Sequence, residues 1–161
     1  MMKHQPITVL RYISLLQRNT QRYFDLALER DNIGGGQQFF LLCIFEQDGV
    51  SLLDLARFGG FDKGTVTRAV QKLGGEGYVY ATPDEQDKRV HHLHLTDKGR
   101  ALVERVYTVR DYWTASLTSG LGEAERERLL AALRAMPEHS CSTLKEIAGR
   151  KGELPHADPA G

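Results

Sequence analysis

The most constraining stretch of this sequence is residues 51 to 95, where two short amphipathic helices and a hairpin follow one another with almost nothing between them. Ser51 and Asp54 have the spacing of a capping box, with Asp in place of the usual Glu, and open a helix whose inner face is Leu52, Leu55 and Ala56. The turn Phe58-Gly59-Gly60 stops it. Asp62 then caps a second helix, predicted to run to about Glu76, in which Val66, Ala69, Val70 and Leu73 fall at i, i+3, i+4 and i+7. Two short helices joined by a glycine-bearing turn make a helix-turn-helix. After Gly77, Tyr78 to Thr82 and Arg89 to Leu95 have strand composition and flank the charged turn Pro83-Asp84-Glu85-Gln86-Asp87-Lys88. That pattern predicts a β-hairpin with a charged tip.

Helical segments flank this unit. Ile7 to Arg30 reads as one long helix whose apolar residues, among them Val9, Leu10, Ile13, Leu16, Tyr23, Phe24 and Leu28, sweep roughly 220° of the wheel against about 100° for a single buried stripe. It is expected to pack on two sides, with another subunit as the second partner. Gly34-Gly35-Gly36 breaks the chain, and Gln37 to Gln47 carries the nearly all-round apolar run Phe39 to Phe45, a central buried helix. Thr96 caps a helix to Ser119 with Leu102, Val103, Val106, Val109 and Trp113 inside. Gly120 and Gly122 interrupt it; Glu123 to Met136 is amphipathic again, and Pro137 ends or kinks that helix.

Composition narrows the function. The 161 residues carry 21 basic and 21 acidic side chains and 41% apolar residues, as in a soluble globular protein, so any nucleic-acid binding must come from local charge placement. Cys43 and Cys141 lie far apart with no second thiol near either, which excludes a disulfide framework and fits a reducing cytosol. The first thirty residues lack the apolar stretch of a signal peptide, and Phe39 to Phe45 falls far short of the ~18 residues of a membrane span. A cytoplasmic protein with no membrane partner is expected.

The helix from Asp62 to Glu76 displays Gly64, Thr67, Arg68, Gln71 and Lys72 opposite its apolar stripe, with Lys63 and Thr65 beside them. Short hydroxyls, an amide and long cations are the side chains that meet base edges and phosphates in a major groove. Lys88 and Arg89 at the hairpin tip stand where one duplex could be touched by both elements.

These residues resemble the MarR transcriptional regulators, winged-helix dimers of bacteria. The resemblance is carried by Asp62-Lys63-Gly64-Thr65-Val66-Thr67-Arg68, by Leu73 with Glu76-Gly77-Tyr78-Val79, by Pro83-Asp84 with Asp87-Lys88-Arg89, and by Leu95-Thr96-Asp97-Lys98-Gly99-Arg100. It implies a mainly α fold with a small β-hairpin wing. In that layout 1–33 is an N-terminal dimerisation helix, 34–100 a winged helix-turn-helix, 101–148 C-terminal dimerisation helices and 149–161 a flexible tail. It further implies a homodimer on a palindromic double-stranded operator, most often as a repressor, released by a small aromatic or anionic effector. By matching position, Lys63, Gly64, Thr67 and Arg68 would face the major groove and Arg89 would enter the minor groove with Asp87 steering its guanidinium, while Ser51, Thr65, Gln71, Lys72 and Lys88 complete the expected DNA-binding set. Tyr12, Tyr23, Phe39, Cys43, Tyr112 and Trp113 would border an effector pocket, with Arg11 or Arg22 meeting a carboxylate.

This chain departs from the family in having Gly64 where Ser is common, Ala81-Thr82 where a basic pair is common before Pro-Asp, and Gly74-Gly75 within the helix end. From Asp62 to Arg100 seven basic residues face six acidic ones, a local net charge of +1, which predicts modest, salt-limited affinity. The alternative reading is a winged-helix protein-interaction module without DNA binding. His91, His92 and His94 carry ligand chemistry, but a zinc site needs three or four convergent ligands, and the strand alternation puts His91 with the buried Leu93 and Leu95. The other two read as exposed histidines beside DNA phosphates. Cys43 lies in an apolar helix without the positive charge that makes a reactive thiolate. No catalytic constellation and no cofactor motif is present in the sequence.

Overall fold

A computed structural model describes residues 8–149. The elements are α1 (Val9–Ala27), a 3-10 turn (Glu29–Asp31), α2 (Gly35–Glu46), β1 (Val50–Ser51), α3 (Leu52–Gly59), α4 (Lys63–Gly75), β2 (Val79–Pro83), β3 (His91–Leu95), α5 (Asp97–Leu117) and α6 (Glu123–Gly149). Tertiary contacts divide the chain into two compact units, with the break between Ala115 and Ser116 inside α5. No helix among the described residues is long and apolar enough to cross a membrane.

In the first unit α2 is the hub. Phe40, Leu41 and Ile44 are sealed from solvent together with Leu55 of α3, Val66 and Leu73 of α4, Leu93 of β3, and Val103 and Val106 of α5. This explains why the middle of α2 has no polar face, since its buried residues pack on several other elements; Phe45 near its end stays exposed. The capping box opens α3 as the spacing predicts: the Ser51 hydroxyl accepts from the Asp54 amide at 3.2 Å, and the Ser51 amide donates back to Oδ2 at 3.3 Å. Gly60 ends α3 with φ +63, a left-handed conformation that glycine adopts without steric cost. Farther on, a Cβ at Gly99 would stand 2.2 Å from the Tyr78 carbonyl oxygen, so glycine lets α5 close against the end of the turn before β2.

The sheet has the order β1-β3-β2, antiparallel throughout, with Val50 opposite Leu93, Ser51 opposite His92 and Val79 opposite Leu95. The hairpin of the sequence analysis is therefore two strands of three. β1 escapes a periodicity reading because two residues cannot show alternation, and Ser51 already serves as a helix cap.

Several boundaries differ from expectation. α1 stops at Ala27 and gives way to the 3-10 turn, while α2 begins at Gly35, with the Gly35 amide donating to Asp25 Oδ1 at 3.0 Å. Pro137 does not end α6, which continues to Gly149. A proline removes one ladder bond and leaves the rest, and beyond it the Ser140 and Thr143 hydroxyls donate to the carbonyls of Pro137 and His139 at 2.8 and 2.9 Å. His91 is exposed, because at the strand's first residue the buried face has already run past the core. Ile7 and the predicted tail beyond Gly149 lie outside the described residues.

The apolar residues of α1 and α6 behave differently from those of the hub. In α1 only Phe24 is buried, while Val9, Leu10, Ile13, Leu15, Leu16 and Leu26 are exposed. In α6 no residue is buried, and Leu129, Leu130, Leu133, Met136 and Leu144 are exposed.

Candidate nucleic-acid interface

α4 is aimed by its N-cap. Asp62 accepts from the Thr65 amide at 2.9 Å through one oxygen and from the Thr65 hydroxyl at 2.6 Å through the other, and these bonds lower its pKa. The same Thr65 hydroxyl accepts from the Arg68 guanidinium at 3.3 Å, so Asp62 and Thr65 hold the tip of the exposed Arg68 side chain back along the first turn of α4. A Cβ on Gly64 would lie 3.3 Å from that guanidinium, and its absence gives the arginine room to lie along the first turn. The Thr67 hydroxyl donates to the Lys63 carbonyl at 2.8 Å, which leaves its oxygen able to accept. Lys63, Arg68, Gln71 and Lys72 are exposed, while Val66, Ala69 and Leu73 on the opposite face are buried. Ser51 caps α3, with its hydroxyl occupied by Asp54.

The wing tip is organised by two aspartates. Asp84 Oδ1 accepts from the amides of Gln86 and Asp87 at 2.8 and 2.9 Å, and Asp84 Oδ2 faces His92 Nε2 at 3.0 Å. Together these bonds pull the Asp84 pKa down to about 2, with the His92 bond the largest cause. Asp87 then takes Arg89 bidentately, Nε to Oδ1 at 3.1 Å and the terminal nitrogen to Oδ2 at 3.2 Å. The Arg89 side chain is 92% exposed, so the pair adds little stability and acts by fixing direction. Lys88 beside it is exposed.

His92 and His94 share the outer face of β3 as the alternation requires, yet neither is a free surface cation. His92 lies between the Gly49 carbonyl and Asp84, and His94 between Asp48 and the Thr82 hydroxyl, with its ring stacked on Tyr80 at 5.2 Å. The sequence reads His92 as an exposed histidine beside DNA phosphates, without a partner, and does not single out Asp84 as an interface residue. The Pro83-Asp84 turn and the strand alternation carried half of that signal; the pairing across the tip did not.

The residues proposed to border an effector do not form one group. Tyr23 and Trp113 stack at 4.5 Å and 12°, with Tyr112 at 6.4 Å from Tyr23, and the two polar tips are satisfied by the Val109 carbonyl and the Thr20 hydroxyl. Phe39 packs instead on Phe40 and Phe61, Cys43 is half-buried against the core, and Tyr12 is exposed on α1. Burial, and after it Glu46, raises the Cys43 pKa and favours the thiol. A shallow cleft of about 340 Å³ on α1 is lined by Gln17, Arg18, Gln21, Arg22 and Asp25. Arg11 is exposed on the same helix.

Comparison with known proteins places this geometry. The MarR family model matches residues 36–91. A MarR transcriptional regulator from Methanosarcina mazei Go1, solved by crystallography, is 33% identical, superposes with a TM-score of 0.79, and the match covers 84% of this chain and 97% of that one. The chain belongs to the MarR family. It is a MarR-type helix-turn-helix transcriptional regulator, and within the MarR fold α3 and α4 form the helix-turn-helix and β2 and β3 the wing. Two further MarR-like structures are similar in the same way. S. aureus MepR, solved in a complex with DNA, is 27% identical with a TM-score of 0.77, covering 83% of this chain and 98% of that one. Bordetella bronchiseptica BpsR, solved in a study of how 6-hydroxynicotinic acid regulates its DNA binding, is 25% identical with a TM-score of 0.76, covering 85% and 98%.

Proposed function

We propose that this MarR-family chain is a homodimeric repressor that grips a palindromic operator through two α4 helices and two wings. The observation that carries the reading is the exposed row Lys63, Arg68, Gln71 and Lys72 opposite a buried stripe, together with an Arg89 held outward by Asp87. In this reading Gly64, Thr65 and Thr67 allow α4 to approach base edges, and Lys88 and Arg89 meet the backbone and the narrow groove beside it. The dimer is supported by the uncovered apolar residues of α1 and α6, because leucine rows of this extent are rarely left in water. MepR, similar in fold, binds DNA.

The effector in this reading is a small aromatic or anionic molecule. It would enter against Tyr12, Tyr23, Phe39, Cys43, Tyr112 and Trp113, with Arg11 or Arg22 meeting a carboxylate, as BpsR answers to 6-hydroxynicotinic acid. Since Tyr23 and Trp113 are stacked on each other, binding there requires that stack to open and should change Trp113 fluorescence. Such a ligand moves repression only by preferring one spacing of the α4 helices.

The test is mobility shift of the DNA upstream of the protein's own gene across a salt series. A shift that weakens steeply with salt supports the reading. No shift at low salt supports a protein-interaction module instead, a role consistent with the local charge of only +1.

A further inference from the structure

The His92 ring meets an acceptor at each nitrogen. Nδ1 stands 2.8 Å from the Gly49 carbonyl oxygen in the turn before β1, and Nε2 stands 3.0 Å from Asp84 Oδ2 at the start of the wing tip. A carbonyl and an ionised carboxylate accept and never donate, whereas a neutral imidazole has one N–H to give. Both contacts are hydrogen bonds only when the ring is doubly protonated. Asp84 passes the constraint on, because its other oxygen holds the Gln86 and Asp87 amides, and Asp87 in turn holds Arg89. A continuous chain thus runs from Gly49 through His92, Asp84 and Asp87 to Arg89.

We propose that His92, as an imidazolium, is a positioning residue for Arg89, clamping the wing tip to the α2–β1 turn so that the wing's grip on DNA is strong at mildly acidic pH and loosens above it. The proposal rests on the reading that Arg89 meets DNA.

The charge around the ring supports it. Asp84 faces one nitrogen, and the Asp54 carboxylate on α3 adds a smaller attraction for the charged ring. Asp48, from the α2–β1 turn, is occupied by His94 at 3.1 Å and lies 4.0 Å from Arg100. The Asp84 bond, and after it the Gly49 carbonyl, raises the His92 pKa above its ordinary 6.5 against a smaller opposing effect of burial. A pKa raised on folding means the clamp is complete below pH 6.5 and is lost as pH climbs through the elevated value. On the acid side Asp84, lowered to about 2, keeps its charge until far more acidic conditions. His91 is exposed at the strand end, and His94 holds Thr82 and Asp48, so neither is in the chain of contacts.

Nitrogen-15 NMR of the free full-length protein tests the clamp. At about pH 6 both His92 ring nitrogens should be protonated, and the Gln86, Asp87 and Arg89 amides should shift with the His92 midpoint, above 6.5. H92Q should erase that midpoint from the tip, and H91Q and H94Q should keep it. A singly protonated ring at that pH, or tip amides that ignore the His92 titration, would overturn the clamp. Affinity is then read at fixed salt on a duplex that the parent selects from a random-sequence pool. Raising pH from about 6 to about 8.5 should weaken the parent several-fold, H92Q far less, and H92R, which stays charged, should bind tightly at both. The H92Q loss should largely vanish in an R89A background; if it persists in full, His92 does not act through Arg89. A protein that selects no duplex overturns the DNA reading, while the tip amides still judge the clamp.

Discussion

In the winged-helix region Leu41, Leu55, Leu73 and Leu93 are sealed from solvent, whereas Leu16 on α1 and Leu130 and Leu133 on α6 stand about half exposed. Both sets fall on the same helical or strand periodicities, so the pattern reports that a face needs cover and is silent on which chain supplies it. Burying a leucine contributes roughly 1.5–3 kcal/mol, and an uncovered row forgoes that in every member. The two regions therefore predict different responses to the same truncation.

The largest effect belongs to the hub. Phe40→Ala should lower unfolding stability by about 3–5 kcal/mol in urea titration, since the ring is only 1% exposed and touches both Phe39 and Phe61. A loss under about 1 kcal/mol would mean that α2 is not the centre of the core. Leu133→Ala sharpens the contrast. Covered by a second copy, it should cost about 2–5 kcal/mol and make the unfolding midpoint fall on dilution. Left in water, the same change should stay within about 0.5 kcal/mol at every concentration.

The same contrast explains what was legible in the sequence. α3, α4, β2 and β3 follow from caps, glycines and alternation, because each is bounded by a residue whose local chemistry decides it: Ser51, Gly60, Asp62, Thr96. The Thr96 hydroxyl, for instance, accepts from the Gly99 amide at 3.0 Å and donates to the Gly77 carbonyl at 2.7 Å. β1 and the continuation of α6 past Pro137 were not legible, since a two-residue strand exists only through its partner β3 and a proline's cost is weighed against a whole helix. In the candidate interface, the outward row on α4 can be read from spacing, and the Asp87-Arg89 pair follows from the family resemblance. The clasp of His92 by Gly49 and Asp84 cannot, because it joins residues 43 positions apart in chain order. Which aromatic rings touch within one chain is hidden for the same reason: Phe39 packs on Phe61 and Tyr23 on Trp113 through contacts that no periodicity encodes.

Smaller effects separate the two parts of the interface. Arg68→Ala should weaken binding to the selected duplex by about 1–3 kcal/mol and relax selection at one base pair if the guanidinium reads a guanine edge. Competition with single-substituted duplexes checks this, and an equal loss on all of them would assign Arg68 to phosphate. Arg89→Ala should cost less, evenly across sequences, and reduce the slope of log affinity against log salt by about one. A sequence-selective loss from Arg89→Ala would exchange the roles given to helix and wing.

The central claim is that two copies of the chain, joined through their uncovered helices, present two α4 helices to one duplex. The most direct measurement is the symmetry and stoichiometry of the DNA that the protein selects from a random pool, read by sequencing and by the molar mass of the complex. Two chains should bind an inverted repeat with half-site centres about one helical turn apart, roughly 34 Å or a multiple of it. An asymmetric single site bound by one chain, or a pool that emerges unselected, would contradict it.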